Sequence, residues 1–197
     1  LIDLEIKKAL YRTWRVFFSR FEKLLPIQRE TIPKVLQGEK NLVIASPAAT
    51  GKTESVIAPI TERLIKENWK GLSVLYITPT RALVNDLTRR LKEPLAQLGL
   101  KLGRKTQERH EFDPKKPANI LITTPEGFDS LISRIPETLL NIKVVILDEL
   151  HLVDNTVRGD QLRILCERLR LLTKSKINFY AVSATLENPY LIGCLLY

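Results

Sequence analysis

Asn41-Leu42-Val43-Ile44-Ala45-Ser46-Pro47-Ala48-Ala49-Thr50-Gly51-Lys52-Thr53 is the stretch on which the fold turns. It opens on a short apolar run, a buried-strand candidate over Asn41–Ala45, and feeds through a small-residue loop into an amphipathic helix over Lys52–Asn68. The same alternation then repeats along the chain. Leu72–Thr78, Asn119–Thr123, Lys143–Leu147 and Ile177–Val182 read as further strands, with helices over Arg81–Leu98, Glu126–Ser133 and Gly159–Thr173. The strand candidates are continuously apolar rather than alternating, as strands covered on both faces must be. Strand–helix alternation of this kind predicts an α/β chain: a doubly wound, mainly parallel sheet with helices on both faces.

Ahead of that unit, Leu4, Leu10, Trp14, Phe17 and Phe21 recur at roughly helical spacing, so Leu1–Gly38 reads as helical core-forming segments. Pro26 and Pro33 punctuate it and Gly38 can end its last helix. The expected division is residues 1–38, N-terminal helices, and residues 39–197, the α/β domain. Lys101–Ala118 is charged and carries Pro114 and Pro117, and reads as a flexible insertion.

The chain has 197 residues, enough for one sizeable α/β domain, and 31 Lys and Arg against 22 Asp and Glu give it a formal charge of +9. Such an excess suits a polyanionic partner, because phosphate contacts release counterions. Cys166 and Cys194 form neither a metal-spaced cluster nor a disulfide framework, which is compatible with a reducing, cytoplasmic setting. Cys166 falls in an apolar helical pattern and reads as core. No apolar run approaches the length of a membrane span, so no membrane partner is expected. The start at Leu1 and the apolar ending Leu195-Leu196-Tyr197 point to a piece of a longer chain.

A loop between a buried strand and a helix N-terminus is a natural phosphate site, since free N–H groups and the positive dipole end both face it. The amides of Ser46–Thr53 can cradle phosphates, Lys52 can reach the β- and γ-phosphates, and the Thr53 hydroxyl can hold Mg2+. Ser46 stands where the strict G-x-x-x-x-G-K-[ST] pattern has its first glycine, and a chance Gly-Lys-Thr at a helix start is common. Further along, the run Lys143–Leu147 ends in Asp148-Glu149-Leu150-His151. In a parallel sheet the carboxyl ends of the strands form the ligand crevice, so these acids should face the phosphate loop. Asp148 can then hold Mg2+ through water, while Glu149 positions and deprotonates an attacking water. The plainer use of such acids is to cap the turn that follows.

The ordered set of motifs resembles the first RecA-like domain of superfamily 2 helicases. Pro26-Ile27-Gln28 looks like the adenine-reading Q motif, with Gln28 on the base. Ser46–Thr53 corresponds to motif I, with Ser46, Pro47, Ala48, Ala49, Thr50, Gly51, Lys52 and Thr53 around the nucleotide. Pro79-Thr80-Arg81-Ala82-Leu83 corresponds to motif Ia and Thr123-Thr124-Pro125-Glu126 to motif Ib. Asp148-Glu149-Leu150-His151 is similar to a DExH-type motif II, and Ser183-Ala184-Thr185 to motif III. The loop Ser-Pro-Ala-Ala-Thr-Gly-Lys-Thr-Glu, and Arg158-Gly159 followed by Leu162, Glu167, Arg168 and Leu169 after motif II, resemble the Lhr- and Ski-type group more than DEAD-box proteins. Ala48 departs from the family's usual threonine, which removes one hydroxyl from the loop.

The resemblance implies ATP with Mg2+ as ligands and an ATP-driven motor on single-stranded or partly duplex DNA or RNA. Catalysis falls to Lys52, Asp148, Glu149 and His151, with Thr53 and Asp148 toward the metal. Pro79, Thr80, Arg81, Thr124, Pro125 and Glu126 would grip the sugar-phosphate backbone, and Ser183 and Thr185 would couple nucleotide state to that grip through His151. It also implies a second RecA-like domain, bearing the finger arginines, so that residues 1–197 alone should bind nucleotide weakly and turn it over slowly. Two other readings stand beside this one: a non-hydrolysing, nucleotide-dependent nucleic-acid clamp, and a P-loop kinase or GTPase. Intact Glu149 argues against the first, and motifs Ib and III against the second.

Overall fold

The computed structural model describes residues 2–106, 110–111, 113, 116–152, 156–173 and 175–184. The elements in chain order are α1 (Ile2–Ala9), α2 (Trp14–Phe17), α3 (Pro26–Gln37), β1 (Leu42–Ala45), α4 (Lys52–Lys66), β2 (Val74–Ile77), α5 (Arg81–Gln97), β3 (Leu102–Lys105), β4 (His110–Glu111), β5 (Ile120–Thr123), α6 (Pro125–Arg134), β6 (Val144–Leu147), α7 (Val157–Leu172) and β7 (Asn178–Ser183). Short 3-10 turns cover Pro136–Leu139 and Leu150–Leu152.

The strands form one sheet in the order β1-β7-β6-β2-β5-β3-β4. Every pairing is parallel except β3 with β4. Side chains alternate between two cores, as the pleat requires. Val74 and Tyr76 of β2, Val144 and Ile146 of β6, and Tyr180 and Val182 of β7 pack with α3, α4 and α5. Leu75, Ile77, Val145, Leu147, Phe179 and Ala181 face α6 and α7 on the other side. That double burial is what the continuous apolar runs encode. Cys166 lies buried in the second core.

The N-terminal helices share the first core: Ile6, Leu10, Phe17, Phe18 and Leu24 are buried in it. A buried carboxylate fixes their entry. Glu62 of α4 accepts the Thr13 N–H and hydroxyl (both 2.9 Å) and the Arg12 N–H (3.1 Å), satisfying the free amides where α2 begins.

The structure departs from the sequence reading at three places. Of the apolar residues read at helical spacing, Leu10 and Phe17 are buried, whereas Leu4 and Phe21 are each 54% exposed. The segment forms three helices with breaks after Ala9 and Phe17, so one helical spacing does not run through all five positions. Pro33 does not punctuate anything; it sits inside α3, which runs on to a left-handed cap at Gly38 (φ 65°). And within Lys101–Ala118 the expected flexible insertion contains β3, a parallel neighbour of β5, with β4 added antiparallel. Leu102-Gly103-Arg104-Lys105 is half polar because it lies toward the sheet's edge, and so lacks the apolar signature of the inner strands. Residues 107–109, 112, 114–115, Thr185 and Cys194 lie outside the described residues. Among the described residues no helix is long and apolar enough to cross a membrane.

Candidate nucleotide site and nucleic-acid face

Parallel strands send their carboxyl ends to one edge, and that edge gathers the motifs. β1 ends at Ala45 and opens into the loop 46–51; β6 ends at Leu147 and presents Asp148 and Glu149; β7 lies between them. A cavity of about 450 Å3 joins these ends, lined by Phe21, Lys23, Leu25, Gln28, Ala48–Glu54, Arg90, Asp148 and Glu149. Its size is that of a small-ligand pocket.

The loop is closed on itself by side chains. Ser46 Oγ donates to Thr50 Oγ1 (2.8 Å), which donates to the Pro47 carbonyl (2.8 Å). Lys52 is buried and its Nζ donates to the Ser46 carbonyl and to the Pro47 carbonyl (2.7 Å). Ala49 adopts a left-handed φ of 58° and Gly51 one of 78°. Gly51 also needs its missing side chain for a second reason: a Cβ there would stand 2.2 Å from Gln28 Nε2. That amide donates to the Gly51 carbonyl (3.3 Å), while Gln28 Oε1 accepts the Leu25 N–H (3.0 Å). Gln28 is thus fastened to the loop, and its amide keeps the capacity for one further N–H bond and one further accepted bond.

Asp148 is nearly buried, and each carboxylate oxygen has a partner. Oδ2 accepts the Tyr76 hydroxyl (2.7 Å) and Oδ1 the Glu149 N–H (2.9 Å). Burial pushes its carboxyl above the usual range; the Tyr76 hydroxyl and the Lys52 charge pull the other way, and the Glu149 charge adds to the rise. Glu149 itself has a left-handed backbone (φ 49°) and its Oε2 lies 3.4 Å from His151 Nδ1. Ser183 joins the two halves of the site. Its carbonyl accepts the Ser46 N–H (3.2 Å), and its hydroxyl pairs with His151 Nδ1 (3.0 Å) and accepts the His151 N–H (3.3 Å).

On the same edge, α5 and α6 start next to each other on β2 and β5. Thr80 caps α5 by accepting the Leu83 N–H, and Thr124 caps α6 by accepting the Gly127 N–H. Arg158, at the start of α7, ties the two turns together. Its Nε donates to Glu126 Oε1 (2.8 Å) and its Nη2 to the Pro79 carbonyl (2.8 Å). Burial works against the Glu126 charge, yet hydrogen bonds from its own amide, Thr124 and Arg158 hold its carboxyl below the usual range. Glu126, among the residues expected at a nucleic-acid backbone, is thus paired with Arg158 at a partly exposed position. Arg81 is exposed on this edge.

Sequence reasoning gave no site role to Phe21, Lys23 and Arg90, which line the candidate cavity, or to Tyr76, which meets it through Asp148. Phe21 and Tyr76 look like core aromatics, and Arg90 (paired with Glu54 at 2.9 Å) looks like a solvated helix charge. The chain before α3 brings Phe21 and Lys23 to the crevice, α5 brings Arg90 beside Glu54, and the register of β2 beside β6 brings Tyr76 to Asp148.

The DEAD/DEAH box helicase family model matches residues 25–192. The chain is 34% identical over 193 residues to the ATP-dependent helicase Lhr-Core of Sulfolobus acidocaldarius, covering 88% of this chain and 22% of that protein. It is 33% identical to the ATP-dependent DNA helicase Hel308 of Pyrococcus horikoshii, covering 95% of this chain and 24% of that one. Among solved structures, Mycobacterium smegmatis helicase Lhr bound to ssDNA and AMP-PNP superposes with a TM-score of 0.76 at 29% identity, over 88% of this chain and 24% of that chain. The DEAD-box helicase Mss116 bound to ssRNA and UDP-BeF shares the fold, with a TM-score of 0.80 at 23% identity, over 98% of this chain and 41% of that chain. The chain thus spans about a quarter of the length of the curated relatives it matches.

Proposed function

The chain belongs to the DEAD/DEAH box helicase family, and on that premise we propose that it is the nucleotide-hydrolysing half of an ATP-driven motor that moves along single-stranded nucleic acid. One observation carries the reading: Gln28, the loop through Lys52, and Asp148-Glu149 line a single cavity of nucleotide size. Phe21 and Leu25 offer an apolar wall beside Gln28 for the base, and the loop amides face the phosphates.

Lys52 exchanges its two loop carbonyls for phosphate oxygens when a nucleotide enters, and balances charge on the group being transferred. Thr53 and Asp148 supply two oxygen donors, a set that fits Mg2+, which takes few protein ligands and completes its shell with phosphate and water. The bound ion would neutralise the phosphate charge. Glu149 orients a water for in-line attack. The water oxygen bonds to the γ-phosphorus, the bond to the β–γ bridging oxygen breaks, and the water proton passes to the Glu149 carboxylate. His151 and Ser183 report the change at Glu149 to the loop strand. The turns at Thr80-Arg81 and Thr124-Pro125, clamped by Arg158, hold the sugar-phosphate backbone without reading bases. A second RecA-like domain would close the crevice and bring the finger arginines.

The test is nucleic-acid-stimulated ATP turnover by the intact protein. E149Q should abolish stimulated turnover while leaving ATP binding within a few-fold. Undiminished turnover in E149Q would remove Glu149 as the base, and nucleotide binding by the wild type without stimulated turnover would transfer the function to the non-hydrolysing clamp, a role compatible with the hydroxyl missing at Ala48.

A further inference from the structure

The centre of the sheet holds a hydroxyl that the family motifs leave unassigned. Tyr76 sits on β2, paired with Ile146 on β6 and Ile122 on β5, and is 1% exposed. An apolar side chain would satisfy the packing there, as Val74 does two residues earlier on the same face. Instead the ring carries an O–H to the C-terminal edge, where it donates to Asp148 Oδ2 at 2.7 Å. The Thr53 side chain lies against the same phenol. One buried hydroxyl therefore meets both residues whose oxygens point toward the metal in the proposed site.

We propose that Tyr76 is a positioning residue for the divalent cation, holding the Asp148 carboxylate and the Thr53 hydroxyl in the orientation that ligates it. The inference rests on the nucleotide-site reading above and deepens it. A phenol has one proton. Donated to Asp148, it leaves the Tyr76 oxygen as an acceptor for the Thr53 O–H, and the Thr53 lone pairs then face the crevice. The Glu149 N–H on Oδ1 and the phenol on Oδ2 together fix the plane of the carboxylate. A nearly buried acid otherwise has to be oriented at the moment of binding, and losing a partner of this outer kind typically costs about 10- to 100-fold in metal affinity.

The experiment measures binding of a fluorescent ADP analogue to the intact protein, in EDTA and across a Mg2+ titration, for wild type, Y76F, D148N and D148N/Y76F. Binding of Mn2+ in place of Mg2+, followed by electron paramagnetic resonance, gives a second readout independent of turnover. Y76F should keep its EDTA affinity and its unfolding midpoint to within a few degrees, while the Mg2+ concentration at half-effect rises about 10- to 100-fold. In the D148N background the further change should shrink to what the Thr53 hydroxyl carries, because the hydroxyl acts mainly through that carboxylate. Half-effect concentrations equal in wild type and Y76F would overturn the proposal, as would an effect of equal size in both backgrounds. Loss of EDTA binding together with the unfolding transition in Y76F would assign the tyrosine to the core alone. Wild type with no Mg2+-dependent nucleotide binding would instead sink the site reading on which the proposal rests.

Discussion

Glu149 stands in a left-handed backbone conformation (φ 49°) that costs a residue with a side chain about 1–2 kcal/mol. Its surroundings hold it there: the amide donates to Asp148 Oδ1, and the carboxylate lies beside His151, itself anchored on Ser183. Strain concentrated at such a position aims the carboxylate into the crevice rather than back along the strand. E149Q preserves the shape and removes the proton acceptor. Single-turnover hydrolysis should then fall about 10²- to 10⁴-fold, the usual share of a general base. A fall in nucleotide affinity of comparable size would mean that Glu149 binds rather than reacts. Cys166 shows the opposite case, a reactive group kept inert. Burial pushes its thiol up to about 12, so native protein at pH 8 should resist iodoacetamide at that site. Peptide mapping after alkylation checks this, and labelling should appear only as the protein unfolds. The sign for stability follows: an unfolded thiol titrates near 8.5, so this group leaves stability unchanged below about pH 8 and lowers it as pH rises from there toward 12.

Among the elements, the inner strands were legible because double burial writes itself as unbroken apolar residues, and β1, β2, β5, β6 and β7 fall within the ranges read from sequence, β7 extending one residue further to Ser183. β3 was not, since an outer strand may be half polar, and Arg104 and Lys105 hid it inside a charged stretch. The motif loops were legible for a different reason: phosphate chemistry demands particular residues at particular offsets. Partners that reach the site through tertiary register alone, such as Tyr76, leave no such mark. Nor does the bond that seats α2. Nothing in the spacing of Glu62 distinguishes it from a solvated helix acid, yet it is 5% exposed and meets Thr13 twice. E62A strands the Thr13 N–H and hydroxyl in the core. The expected loss is about 1–3 kcal/mol, which for a chain of this size lowers Tm by roughly 2–12 °C. Calorimetry on E62A reads it, and an unchanged Tm would show that α1 and α2 add nothing to the stability of the sheet they cover.

At the scale of the molecule, the parallel sheet puts the N-termini of α4, α5 and α6 on one edge, so that in the proposed function nucleotide phosphates and strand phosphates would meet the same kind of donor. The two sites are not independent pieces. Ser183 spans the loop and the acidic strand end, and Arg158 spans the α5 and α6 turns, so each half of the edge is braced by a residue from β7 or α7. A surface of helix ends and a chain charge of +9 predict binding dominated by counterion release rather than by base contacts. If the two turns and their neighbours neutralise about three to five phosphates, log K against log salt should fall with a slope of roughly −2 to −3.5 on single strands. R81A should weaken binding to oligonucleotides of different sequence about equally and reduce that slope by about 0.7, the share of one phosphate. Fluorescence anisotropy at several salt concentrations measures both. A slope that R81A leaves unchanged would move the grip away from the Thr80-Arg81 turn, and with it the path by which Arg158 couples that turn to Glu126.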